Sequence, residues 1–347
     1  MKPARSDRFL RMIASAALAT ALAASAASAM GPAGTAAAAD AAGVAAATGA
    51  AAAARAHCDR ACLYAILDRY LDALVAHDPS RLSWSPHVKY TENNVALRIG
   101  DGLWGSTLGF DKFAVRFADP QTGGIGYDGI VRESDAASPF ALRLKVVAGA
   151  VAEAEAIVAR PKEAGIAFVN TVRTPIPSLE AILPPSERSS RARMIALADG
   201  YFSTLQQNDG HLHTVFDPDC NRNEDGFQTT NHPGTPYGFI MGLGCAEQFR
   251  LGFYRFDDRV RDRRYLVIDE ERGLILAGGF IDHSGRTTEY RLTDGRQVKA
   301  NIAHPNSLSY LETFRIRAGK IQQVESVFTS VPYRMPSPWV GAGFHYE

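Results

Sequence analysis

Neither sign of charge dominates this sequence. Thirty-seven Lys and Arg stand against 37 Asp and Glu in 347 residues, and no basic run stands out beyond Arg259 to Arg264. A nucleic acid or an anionic membrane surface calls for a cationic face, so neither is expected as the main partner. Cysteine is scarce, with four in all, and Cys58-x3-Cys62 lacks the two further ligands that a zinc site needs. Nucleophile elbow, Walker loop and dinucleotide glycine fingerprint are all missing, so nucleotide hydrolysis and cofactor-dependent redox chemistry are not expected. No cofactor and no metal is therefore assigned.

What the chain does have is a repeat. Leu142 to Val158 (LRLKVVAGAVAEAEAIV) returns 170 positions later as Glu312 to Phe328 (ETFRIRAGKIQQVESVF). Both read as a strand, an Ala-Gly turn and a second strand, because apolar residues alternate with charged ones at a period of two. Asp119-x3-Gly123-x-Ile125 returns as Asp269-x3-Gly273-x-Ile275 at an offset of 150, and Asp68-x-Tyr70-Leu71 returns as Asp199-x-Tyr201-Phe202 at an offset of 131. The growing offsets place two extra segments of about 19 and 20 residues in the second copy, within Gly226 to Arg261 and within His283 to Ser307. Each unit opens with an amphipathic helix, spanning Cys58 to Ala76 and Arg193 to Gln207, and closes with a sheet.

The N-terminus carries Lys2, Arg5, Arg8 and Arg11, an apolar run from Met12 to about Ala24, and Ala27-Ser28-Ala29. That pattern is a secretory signal over residues 1–29, its Ala-rich core being short of the roughly 20 strongly apolar residues of a membrane span. Residues 30–56 are nearly all Ala and Gly, a composition that cannot build a core, and are expected to be a disordered tether. The first domain is placed at 57–160, a Pro-rich linker at 161–186, the second domain at 187–332 and a tail at 333–347, free to wrap over either domain. A periplasmic or secreted location permits disulfides. Cys220 and Cys245 bracket the first extra segment and are expected to be joined. Cys58 and Cys62 can bridge if Cys58 lies outside the helix, and otherwise remain two thiols.

Several residues are candidates for chemistry, each with a plainer reading beside it. Tyr70 and Tyr201 hold matching places on the two helices and could donate to a developing enolate or alkoxide oxygen; a Tyr on an apolar helix face is more often core. Glu92, followed by Asn93, and Glu224 sit at polar strand ends where desolvation would fit a carboxylate for acid–base work, although a strand end can simply face solvent. Trp104 and Tyr127 could wall a substrate or merely pack. In the first extra segment Asn231, His232 and Tyr237 combine hydrogen-bonding and aromatic groups suited to closing over a ligand, with His232 a proton-transfer candidate. The oxygen-rich run from Asp217 to Gly226 has the sixth-position glycine of a calcium loop but His232 at the twelfth, and His211-x-His213 lacks ligand partners.

The amphipathic helix, the polar strand end Tyr90-Thr91-Glu92-Asn93-Asn94 and the Gly-x-Ile hairpins together resemble the NTF2-like superfamily, which includes ketosteroid isomerases, scytalone dehydratase, SnoaL-like polyketide cyclases and limonene epoxide hydrolase. More narrowly, CDRACL, YTENN, GDGLW, ADPQTGG and LRLKV resemble a family of secreted two-unit proteins of unknown function. The resemblance implies an α+β fold of two tandem cone-shaped domains, in which N-terminal helices pack on a strongly bent, mainly antiparallel sheet. It also implies a conical pocket faced by a helix Tyr and a carboxylate a little over twenty residues later, the relation of Tyr70 to Glu92 and of Tyr201 to Glu224. Glu-Asn and Glu-Asp stand where such isomerases carry one Asp, which leaves the reaction open. The expectation is an exported, cofactor-independent lyase, dehydratase or isomerase acting on a small aromatic or cyclic substrate. A non-catalytic binding protein and a protein-docking adaptor are the alternatives. A monomer is expected, its two domains pairing through the outer faces of their sheets.

Overall fold

The computed structural model describes residues 58–134, 136–161 and 168–341. The expected leader and the whole of the tether lie outside the described residues. Helix α1 (Arg60–Val75) begins at Asp59, whose side chain accepts the Cys62 N–H and supplies one of the partners a first helical turn lacks. Cys58 therefore lies outside the helix, and it is bridged to Cys62. The helix buries Leu63, Ile66, Leu67, Tyr70, Ala73 and Leu74.

The first sheet follows: β1 (Trp84–Glu92), β2 (Val95–Leu97), β3 (Gly109–Asp119), β4 (Gly124–Arg132), β5 (Ala137–Val147) and β6 (Ala150–Val158), with a four-residue helix α2 (Leu103–Ser106) after β2. Its order is β2-β1-β6-β5-β4-β3, antiparallel except for the parallel pair β1–β6. Gly100, Gly102 and Gly105 have the spacing of the dinucleotide glycines, which corrects the expectation that no such spacing is present, but they lead only into α2. A Cβ on Gly102 would lie 2.2 Å from Glu92 Oε2, and its φ of +64° is glycine's own region, so steric room explains this residue without a phosphate.

A short helix α3 (Pro177–Glu180) lies in the linker, and residues 168–172 form no strand. The second unit has helix α4 (Arg191–Gln207), capped by Ser190, then β7 (Phe216–Glu224), β8 (Phe227–Gln228), helix α5 (Cys245–Arg250), β9 (Arg259–Asp269), β10 (Leu274–His283), the small hairpin β11 (Glu289–Arg291) and β12 (Gln297–Lys299), and β13 (Asn306–Arg317) with β14 (Lys320–Val331). The sheet order β8-β7-β14-β13-β10-β9 repeats the first. The fold is thus two tandem mixed six-stranded sheets with few helices. The extra segments are residues 229–258, which carry α5, and 284–305, which carry the hairpin. They pack on each other through Ile240, Met241, Phe253, Phe256, Tyr290 and Leu292.

A separate core joins the two sheets, with Phe113, Val115, Phe117 and Ile130 of the first packed among Val267, Leu274, Leu276, Leu311 and Val327 of the second. Its rim is reciprocal. Arg60 at the start of α1 donates to Asp269 at the end of β9, and Arg191 at the start of α4 donates to Asp119 at the end of β3. The same two carboxylates accept the Ala118 and Ile268 N–H groups, at 3.5 and 3.4 Å. Equivalent residues thus exchange places across a pseudo-two-fold, as in a symmetric dimer. The tail crosses the first unit, where the Trp339 indole donates to Thr91 at 3.2 Å and lies beneath Lys89 and Arg143.

Asp119→Ala and Asp269→Ala should each leave a half-buried guanidinium without its partner and a buried N–H unsatisfied, costing about 1–3 kcal/mol. Urea denaturation should show losses of similar size for the two. A neutral result for one of them would mean that the rim is not reciprocal in energy.

Candidate functional site

Residues directly opposite one another on neighbouring strands share a face of the sheet. In the second unit Glu224 of β7 is opposite Ser326 of β14, and Ser326 is opposite Glu312 of β13. The row continues to Ala277 of β10. In the first unit the same row reads Glu92, Ala156, Leu142 and Tyr127. One copy thus carries two carboxyl groups bridged by a hydroxyl and ends on a small residue. The other carries one carboxyl and ends on a ring.

Aromatic rings pack the first unit's interior. Tyr70, Trp84 and Trp104 meet edge to face at 5.4 to 6.2 Å, and Phe110, Tyr127 and Phe140 form a second cluster. Glu92 is tied down: Oε2 accepts the Leu103 N–H at 2.7 Å and the Tyr90 hydroxyl at 3.2 Å, and Oε1 accepts from Arg160 at 2.9 Å. Its carboxylate anchors the start of α2 and the end of β6 rather than opening to a cavity. Asn93 is also a latch, exchanging two hydrogen bonds with Val158 beyond the last β1–β6 pair.

The second unit holds a cavity of about 360 Å³. Its floor is Tyr201, Arg222, Glu224, Ser326 and Glu312, and its walls include Phe328, Leu308 and Ile281. Both extra segments contribute, the first with Met241, Phe253, Tyr254, Phe256 and Asp257 and the second with Asn301 and Ile302, while Phe168 and Tyr237 stand at one side. The volume suits a molecule of one or two rings.

Arg222 is the fixed point of the floor. Its Nε is 2.9 Å from Glu224 and donates to Thr229, and Nη2 donates to Gln248 at 2.6 Å and to the Tyr254 hydroxyl. Gln248 is held in turn by the Thr229 and Ile240 carbonyls. Cys220 and Cys245 are bridged, which ties β7 to the helix that carries Gln248. Burial works against the charge of Arg222, but Tyr254, Glu224 and Tyr201 outweigh it and hold the guanidinium ionised.

Burial pushes the Glu312 carboxyl up to about 8; the nearby Glu224 charge adds to this, and Arg222 and the Tyr201 hydroxyl only partly offset it. Burial also raises Glu224, against the pull of Arg222. Burial and the Glu312 charge raise the Tyr201 phenol well above its usual range, leaving it a neutral donor. At another wall His283 Nε2 lies 2.9 Å from Asp257, and Nδ1 is buried with no hydrogen bond of ordinary geometry. Burial alone would lower the imidazole; the Asp257 hydrogen bond and charge reverse that and raise it.

Of the residues proposed from sequence, Tyr201, Glu224 and Tyr237 meet in this cavity. Asn231 and His232 lie beside it but do not line it: Asn231 donates to the Cys220 carbonyl and the Asn221 side chain, and His232 Nδ1 meets the Gln228 carbonyl. Tyr70, Glu92, Asn93, Trp104 and Tyr127 belong to the filled first unit. Arg222, Tyr254, Asp257, His283 and Glu312 escaped the sequence reading. One signal for Glu312 was present, since it stands where the repeat has Leu142, a charged residue at an apolar position.

The model of a domain of unknown function (DUF8021) matches residues 187–328, the second unit. No curated protein matches the chain. Among solved structures the chain is similar to AclR from Streptomyces galilaeus, with 16% identity, a TM-score of 0.26 and coverage of 41% of this chain and 83% of that one. An uncharacterised protein with a cystatin-like fold from Caulobacter vibrioides has 15% identity, a TM-score of 0.24 and coverage of 40% and 88%. A de novo designed protein with a curved β-sheet has 14%, 0.23, 40% and 87%. Scores at this level carry no argument about chemistry.

The Glu312 shift has a consequence for stability. A carboxyl whose pKa rises on folding binds its proton more tightly in the native state, so its stabilising effect is complete below the ordinary glutamate range and is lost as pH climbs to about 8. The urea midpoint of the ligand-free protein should therefore fall between pH 5 and 8, and Glu312→Gln should flatten that slope. An unchanged slope in the variant would show that Glu312 ionises normally.

Proposed function

We propose that this protein is an exported enzyme of acid–base type, a lyase, dehydratase or isomerase, acting on a small aromatic or cyclic molecule in the cavity of its second unit. The observation that carries this reading is the row Glu224, Ser326, Glu312 at the cavity floor, present in one of two otherwise matching sheets. A group that exchanges its proton near neutral pH suits general acid or base work, and a value of about 8 puts Glu312 in that range. Tyr201 supplies a neutral donor for an oxygen on which charge develops. Glu224, paired with Arg222, stays on the floor as a second acceptor. The units are read as NTF2-like cones, the first a filled scaffold and the second the working copy. Export rests on two disulfides, which suit an oxidising compartment, and on the N-terminal signal pattern. Among the described residues no helix is long and apolar enough to cross a membrane.

The test is turnover on a panel of aromatic and cyclic substrates. Glu312→Gln should lower kcat by about 10²–10⁴ with the fold intact, whereas Glu92→Gln should lower stability and leave kcat within a few-fold. The opposite ranking would move the site to the first unit. If no substrate turns over while ligands still bind in the cavity, the chain is a binding protein.

The Cys220–Cys245 bond adds a second test. It joins the strand that carries Arg222 to the helix that carries Gln248, and closing a loop of this length contributes roughly 3 kcal/mol. Replacing both by Ser should leave a folded protein with impaired activity or binding. Full activity with only a lower melting temperature would make the bond purely structural.

A further inference from the structure

The cavity contains a carboxyl without a counter-ion. Three carboxyl groups line it, Glu224, Asp257 and Glu312, and two groups can be cationic, Arg222 and His283. Arg222 pairs with Glu224 at 2.9 Å and His283 with Asp257 at 2.9 Å. Among the described residues no cation comes within ion-pair distance of Glu312, which is 4% exposed and meets the Tyr201 hydroxyl. The Arg222 guanidinium is also engaged by Thr229, Gln248, Tyr254 and Tyr201, so it has little left to offer an anionic ligand. The cavity lining is rich in aromatic rings, from Tyr201 and Tyr254 to Phe253, Phe256, Phe328 and Phe168. Aromatic faces attract a positive centre, and more strongly when it is desolvated. A buried carboxylate is tolerated only when it is paired, so Glu312 can ionise here only beside an added cation.

We propose that the ligand of this cavity is a protonated amine or quaternary ammonium on a compact aromatic or alicyclic frame, its positive centre set against Glu312 among the aromatic walls. The inference rests on the cavity being the functional site and adds the charge of what it takes. In the empty protein Glu312 keeps its proton because burial and the Glu224 charge outweigh Arg222 and Tyr201. A bound cation supplies the counter-charge, so the carboxyl ionises and one proton leaves to solvent. With such a substrate Glu312 enters the reaction as the base.

Isothermal titration with three probes of similar shape tests this: 2-phenylethylamine, 2-phenylethanol and phenylacetate. The amine should bind at least about tenfold more tightly than the alcohol, and phenylacetate least. Amine binding should tighten from pH 6 to 8, and its enthalpy should vary with the buffer's ionisation enthalpy as about one proton is released. In Glu312→Gln the amine should lose its advantage and the proton release, while the alcohol binds as before. Equal or tighter binding of phenylacetate, no amine binding, or an amine preference that survives Glu312→Gln would overturn the inference. Leu308→Trp, which fills the cavity wall, separates the two levels. If it abolishes binding of a preferred neutral or anionic probe, the charge inference falls and the cavity stands as the site. If amine binding survives it, both fall.

Discussion

A guanidinium almost wholly out of water is the constraint around which the second unit is arranged. Arg222 is 1% exposed, and an isolated charge at that depth costs several kcal/mol even after the protein relaxes. The surrounding chain removes that cost group by group. Glu224, two residues on along the same strand, supplies the opposite charge; Thr229 and Gln248 accept further hydrogen bonds; and Tyr254 adds both its hydroxyl and its ring face. Thr229, Gln248 and Tyr254 all belong to the first extra segment, and a disulfide binds that segment to the strand of Arg222. In the first unit the equivalent of Arg222 is Tyr90, which has no charge to satisfy and lies beside a shorter connection, residues 98–108. The long segment, the bond and the buried charge are thus one device.

The same comparison explains why one interior is open and the other shut. Tyr127 in the first row becomes Ala277 in the second, and Leu142 becomes Glu312. The first change removes a ring from the floor. The second replaces an apolar contact with a group that needs a partner. The extra segments roof the resulting space with their own apolar cluster, so it becomes a bounded cavity rather than a collapsed core. Trp104, packed between Tyr70 and Trp84, fills the corresponding room in the first unit.

Much of the architecture was legible because repetition is a property of spacing. Offsets of 131, 150 and 170 located both extra segments and the matched helices before any contact was known. The Cys220–Cys245 pair was expected as a bracket around the first of them, but Cys245 lies inside that segment and the bond ties it to β7. The site was only partly legible, since spacing does not say what a side chain faces. Glu92 and Glu224 hold the same position in the repeat, yet Glu92 is spent on Arg160 and the start of α2, whereas Glu224 reaches a cavity. His232 looked the better histidine in a polar loop, but Gln228 holds it outside, while His283 at the end of an apolar strand points to Asp257, 26 residues away. Such pairings depend on which strands become neighbours, and that is decided by the folded sheet.

Two copies in one chain also separate tasks that a single copy must combine. The faces of the sheets that would otherwise need a second molecule are covered by each other, through Phe113, Phe117, Leu276 and Leu311 and through the reciprocal Arg60–Asp269 and Arg191–Asp119 contacts. The open copy can then carry four raised carboxyls, Glu224, Asp225, Asp257 and Glu312, together with a buried guanidinium, each of which lowers stability on its own. A unit that had to fold alone could hold fewer such groups. Residue by residue, the polar departures from the repeat at Arg222, Glu312 and Ser326 lie together at one cavity floor, as expected if stability and chemistry were assigned to different halves of the chain.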